Sequence, residues 1–319
     1  MKTDDLISAA GSGLLAVAYP IRKRLRWAFF ALLLGVLVAG FWNYHLVDGF
    51  GREIVAGKLI GDTQALAGTS GENGWGVGFL FAAVAGLAAT FTACNCVVFA
   101  MLPGLTCSAE GASQRTHVLR ALGIFTAAVV AVNVAYGWYV GSLGPEAIQA
   151  YNERSMRLLQ AQVTFSMLGL ILLAWGIISF GFADRLISRL SMKTRLFFSS
   201  TLTRAGLMGI LVGFFSVGRP FPVFRDFLTY AASINNPLYG GAAMAIQGLG
   251  QIAVMVALFL LLFWLFGKRI ARWVSEKPQQ MELLSAFALM AGGAYFVYYW
   301  GLAFAFDIGR WGFKLQWYG

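Results

Sequence analysis

The sequence predicts an all-α integral membrane protein of about seven transmembrane helices, built as a three-plus-three inverted repeat behind one extra N-terminal helix. Composition is the first reason. The 319 residues are 59% hydrophobic and only 12% charged, with a mean hydropathy of +0.70, whereas soluble domains run at about 45–50% apolar and about 25% charged. The second reason is that the apolar residues gather into runs of span length, since a helix needs about 20 such residues to cross roughly 30 Å of hydrocarbon. Together these exclude a soluble enzyme, a disordered chain and a disulfide scaffold, for which three Cys in 319 residues are too few.

Seven runs qualify, at Trp27–Leu46, Trp75–Met101, Val118–Gly141, Leu158–Ala183, Ser199–Gly218, Leu238–Phe266 and Leu283–Phe306. Polar connections separate them, the longest being Val47–Gly74 and Ser142–Arg157. The resulting organisation is a cytoplasmic or interfacial segment (1–26), the extra transmembrane helix (27–46) and a periplasmic loop (47–74). Two three-helix repeats follow (75–183 and 184–306), then a periplasmic aromatic tail (307–319). Leu6–Tyr19 is mildly apolar and reads as lying along the inner membrane surface. Trp42-Asn43-Tyr44-His45 is a poor small-residue cleavage site, so the first run reads as a retained helix.

Orientation follows from the basic residues. Arg22–Arg26, Arg115, Arg120, the cluster from Arg185 to Arg204 and the run from Lys268 to Lys277 all fall on one side. That side carries the whole net charge of +10. This is a positive-inside bias, and it requires no nucleic acid. The expected localisation is a bacterial-type inner membrane, with the N-terminus cytoplasmic and the C-terminus periplasmic.

The second and fifth runs share a pattern. The second passes through Gly86 into Cys94-Asn95-Cys96 and stops at Pro103-Gly104. The fifth passes through Gly209 and Gly213 into Gly218-Arg219-Pro220-Phe221-Pro222. Proline removes a backbone donor and restricts the residue before it, so both helices are expected to break there. In opposite orientations, each followed by two more spans, they form two inverted repeats, and such repeats place the working site where the breaks meet.

The stretch from Gly86 to Gly104, with Cys94 and Cys96 ahead of a short apolar run and Pro103-Gly104, resembles the first repeat motif of the membrane thiol–disulfide carriers of cytochrome c maturation, the CcdA and DsbD transmembrane-domain family. Gly209–Gly240 is similar to that family's second repeat, and the resemblance spans roughly residues 75–306. It implies a six-helix inverted repeat that moves reducing equivalents from a cytoplasmic thioredoxin to periplasmic thiol proteins, with one reactive cysteine in each repeat. This chain departs from that pattern. Its second repeat has no Cys, and Gly218-Arg219-Pro220-Phe221-Pro222 stands where the partner thiol is expected.

The candidate catalytic residues are therefore Cys94, Cys96 and Cys107. Cys96 and Cys107 flank a Pro-Gly turn signal, and a Cys94–Cys96 bond requires unwound backbone. Buried inert thiols are the plainer alternative. Cys94 and Cys96 are also possible ligands for a soft metal ion, because thiolates select such ions. His45 and His117 fall on opposite faces and cannot share one haem iron; no cofactor is expected. Arg219 reads most simply as an interfacial side chain reaching for water. Its functional reading is an anion or partner contact at the outer mouth, with Asp226 or Glu146 as its acid. Asn133, Gln247 and Gln251 are polar residues within apolar spans, either hydrogen-bonding between helices or lining a polar path. Gly137–Gly141 and Gly209–Gly213 match the small-xxx-small packing pattern.

Three functions fit. The first is a thiol–disulfide carrier serving a thioredoxin-like or other periplasmic thiol protein. The second is a redox-silent structural subunit of a larger membrane complex, and the third a soft-metal or small-solute transporter. In all three the lipid bilayer is a partner.

Overall fold

A computed structural model describes residues 19–92, 113–184, 189, 191 and 200–317 of the chain. Helix α1 (Ile21–Gly40) is followed by α2 (Tyr44–Gly49), a π-helical turn (Phe50–Ala56), α3 (Gly57–Leu59) and α4 (Thr63–Ala67). Then come α5 (Ser70–Ala89), α6 (Ser113–Asn152), α7 (Arg154–Ser179), α8 (Thr201–Gly218) and α9 (Pro222–Ser233). Helices α10 (Pro237–Glu276) and α11 (Pro278–Phe296) complete the bundle. A second π-helical turn (Val297–Ala303), α12 (Phe304–Phe306) and α13 (Trp311–Lys314) close the chain. No strand occurs among the described residues.

Five stretches among them are long and apolar enough to cross a membrane: Thr116–Asn152, Arg154–Ser179, Thr201–Gly218, Pro237–Leu262 and Gln279–Phe306. They correspond to five of the seven expected runs. The first run appears as α1, which bends by 66° into His45–Leu59. Of the second run the described part is α5, which ends at Ala89, and residues 93–101 of the run lie outside the described residues. Helix α5 ends by tightening: Thr90, Phe91 and Thr92 each donate their backbone N–H three residues back, and the Thr92 hydroxyl donates to Ala89 O at 2.8 Å. The side-chain hydroxyl competes for a carbonyl that the helix ladder would otherwise use.

The two expected long loops are largely helical. Ser142–Arg157 continues α6 past a kink at Gly144 (φ 76°), a conformation only glycine adopts cheaply, with Pro145 restarting the helix behind it. Val47–Gly74 holds α2 to α4, and Ala56 and Ala67 of that stretch are buried.

Helix pairing has an internal symmetry. The principal contacts join α6 to α10, α7 to α11, α8 to α6 and α5 to α10. Exchanging α5 with α8, α6 with α10 and α7 with α11 maps this set onto itself, the pattern a three-plus-three repeat generates. Helix α1 stands outside it and packs on α11.

Small residues make the close approaches. A Cβ on Gly137 would overlap the Gly240 carbonyl oxygen and one on Gly240 the Gly137 oxygen, while Gly209 abuts Phe125 and Gly213 abuts Val132. Both small-xxx-small pairs thus lie in helix contacts, where van der Waals packing replaces the hydrophobic drive that lipid cannot supply. Aromatic stacking joins α7 to α11 and the turn after it, with Phe165 stacked on Phe296 at 5.5 Å and on Trp300 at 5.1 Å. The outward sides of α1, α7 and α10 expose Phe29, Phe30, Leu170, Ile171, Leu261 and Leu262, as a lipid-facing surface requires.

Candidate functional site

The break after α8 forms as its prolines dictate. Arg219 (ψ 117°) and Phe221 (ψ 125°) are both extended, each immediately before a proline, and Pro222 occupies the first turn of α9. This break is buried inside the protein. Helix α9 folds back over it, presenting Val223, Phe224, Phe227, Leu228 and Ala231 to a core shared with α5, α6 and α10. Arg219 is consequently only 1% exposed. The interfacial reading of Arg219 is corrected on that ground, because no route to water is left for its head.

Four helices bring their polar groups together there. Ser216 donates to Gln251 Oε1 at 2.9 Å, and Arg219 donates through NH1 to the same oxygen at 3.3 Å. Gln251 O accepts from the Thr90 hydroxyl at 3.0 Å. The end of α5 is therefore tied to the middle of α10, and α10 is tied to the break after α8. Close approach of α5 and α10 allows it, since a Cβ on Gly86 would overlap Gln247 O and one on Gly250 would press on Ala83 O. Gln247 lies one turn from Gln251, and Asn133 of α6 faces Gly248. Asn133 donates to Val129 O at 2.9 Å. Its Oδ1 and both ends of the Gln247 amide meet no hydrogen-bond partner among the described residues, although both residues are fully buried.

Arg225 is a component the sequence reading missed. It is 2% exposed and its guanidinium donates in three directions: Nε to Arg219 O at 2.8 Å, NH2 to Gln160 Oε1 at 3.0 Å and NH1 to Asn152 Oδ1 at 3.4 Å. It thus fixes the carbonyl of the break to the end of α6 and the start of α7. Gln160 continues the network to the Tyr151 hydroxyl, which shares a 2.7 Å hydrogen bond with Tyr136. The signal was present in the apolar spacing of Phe224, Phe227, Leu228 and Ala231, a helix too short for a span-length search.

Asp226 is not the acid of Arg219, which corrects that expectation. It accepts from the Thr63 hydroxyl at 2.6 Å instead. A carboxyl near enough to feel the Arg219 charge is that of Asp48 of α2, in the segment that follows the bend after α1.

Of the residues singled out from sequence, Gly218, Arg219, Pro220, Pro222, Asn133, Gln247 and Gln251 cluster around this break. Cys94, Cys96, Cys107, Pro103 and Gly104 lie outside the described residues, as does the Leu6–Tyr19 interfacial segment but for Tyr19. Among the described residues no group of three His, Cys, Asp or Glu could hold a metal ion.

Residues 75–290 match the family model described as the cytochrome c biogenesis protein transmembrane domain. The chain belongs to that family. No curated protein and no solved structure matches it significantly. The cytochrome c biogenesis domain covers the chain from α5 to the middle of α11. It leaves out α1 to α4 and the C-terminal tail. At the level of the family, this places the chain among multi-pass membrane carriers of the cytochrome c biogenesis type.

Proposed function

We propose that this protein is a thiol–disulfide carrier in which the redox chemistry is confined to the first repeat. Cys94, Cys96 and Cys107 supply the exchanging thiols. A thiolate of the set attacks a disulfide of a periplasmic thiol protein, forming a mixed disulfide and releasing one partner thiolate. A second thiolate of the set attacks that bond, freeing the reduced partner and leaving an intrachain disulfide. A cytoplasmic dithiol of the thioredoxin type resets the carrier by the same exchange in reverse. Orientation rests on the positive-inside bias, which puts the C-terminal tail on the periplasmic side of an inner membrane.

The observation that carries the reading is the Thr90–Gln251–Arg219 linkage. The residue that ends α5, four positions before Cys94, is tied through α10 to the break of the second repeat. In place of a second-repeat thiol, that break offers a buried cation, which favours thiolate over thiol in its neighbourhood. The Gln247 amide and the Asn133 Oδ1, without partners among the described residues, belong to the same polar interior, where intramembrane polar groups mark working sites.

Alkylation gel shifts on native membranes test this, using the parent and single Cys→Ser variants. Two of the three thiols are expected to interconvert between thiol and disulfide when oxidant is added on the tail side, and removing either should freeze its mate as a thiol. Three thiols that stay reduced under all conditions would leave the redox-silent subunit, which the cysteine-free second repeat favours, as the better reading.

A further inference from the structure

Residues 44–67 lie ahead of the family match, yet they are packed into the site. The turn at Phe50-Gly51 touches both breaks at once. Phe50 makes an edge contact with Phe91, at the end of α5, with ring centroids 4.8 Å apart. Gly51 sits so close to Ala88 that a Cβ there would overlap its carbonyl oxygen, and that Cβ would lie 3.4 Å from the ring of Phe221, in the second break. Ala56 is fully buried in the core around α9, with Val55, Ile60 and Leu66 packed against it. At the far end the Thr63 hydroxyl is tied to Asp226 of α9.

The other flank of the segment borders a cleft. This cleft of about 810 Å³ separates it from α10, walled by His45, Phe50 and Glu53 on one side and Thr90, Val254 and Leu258 on the other. Gly61, at φ +76° with open space around it, turns the chain between α3 and α4. One side of the segment is packed on the breaks, and the opposite side borders the cleft.

From this arrangement we infer that residues 44–67 are a plug that closes the tail-side route to the Arg219–Gln251–Ser216 cluster and lifts to admit a partner. This builds on the carrier reading in one respect, that the partner reaches the site from the tail side.

The test needs none of the native thiols. In a background with Cys94, Cys96 and Cys107 all replaced by Ser, Ser216→Cys provides a single buried thiol behind the plug. Its reaction with the membrane-impermeant sulfonatoethyl methanethiosulfonate is followed with reagent added on the tail side. Labelling is expected to be slow with the plug intact and at least tenfold faster with Gly51→Leu, which forces the Phe50-Gly51 turn off Ala88. A smaller acceleration is expected from Thr63→Val, which removes only the tie to Asp226. Gly176→Leu crowds a helix contact at Met290, away from the plug, and is expected to leave the rate unchanged. Fast labelling with the plug intact, slow labelling in both plug variants, or equal acceleration by Gly176→Leu would each overturn the plug. Because no redox-active thiol is present, such a failure is separate from any failure of the carrier reading.

Discussion

Arg225→Lys is expected to destabilise the protein by roughly 2–4 kcal/mol, despite keeping the charge. Hydrogen bonds from a charged donor are worth about 1.5–3 kcal/mol each, and the guanidinium makes three, to Arg219 O, Gln160 and Asn152. Those acceptors lie on three different elements. A guanidinium reaches them in a fixed fork, whereas an ammonium is a point charge on a flexible stem and cannot reproduce the geometry. Lysine would satisfy one acceptor and leave the others buried without a donor. The position also stacks over Tyr151, with the guanidinium carbon 5.5 Å from the ring centroid, a contact Arg makes better than Lys. Denaturant unfolding in mild detergent measures the loss, and a midpoint equal to the parent's would contradict the role given to Arg225.

Gly137→Ala is expected to cost about 1–3 kcal/mol, the range for overpacking a tight contact. The added methyl would overlap the Gly240 carbonyl oxygen, and because Gly240 meets Gly137 reciprocally, neither backbone can yield without moving the other helix. Gly123, on the same helix, has nothing within 4 Å of the position its Cβ would take. Gly123→Ala is therefore expected to be neutral or stabilising by up to about 1 kcal/mol, the helix-propensity gain. Comparing the two variants by the same unfolding assay isolates the contact from the composition change. Equal effects would mean that the α6–α10 crossing is not the close contact described.

What was legible in the sequence was local. The double proline after Gly218 fixes the backbone of Arg219 and Phe221 whatever surrounds them, and glycines four apart mark a face where helices touch. Gln247 and Gln251 stand out against apolar neighbours, and the structure puts them beside the break. The misjudged features depend on distant partners. Arg219 beside proline at a helix end reads as interfacial by default, and only the return of α9 over that end buries it. Residues 47–74 carry enough Gly and charge to read as a loop. Their few apolar positions, among them Val55, Ala56 and Leu66, gain meaning only from α5 and α9 beneath them. Arg225 likewise takes its partners from Asn152 and Gln160, more than sixty positions earlier in the chain.

Transbilayer thiol transfer tests the carrier most directly. The purified protein is reconstituted in liposomes with the impermeant reductant tris(2-carboxyethyl)phosphine inside and 5,5′-dithiobis(2-nitrobenzoate) outside, and thionitrobenzoate release is followed. A carrier working through Cys94, Cys96 and Cys107 releases it well above the rate of protein-free vesicles and falls to that rate when all three are Ser. Release by the cysteine-free variant at the parent's rate would contradict thiol transfer by this protein.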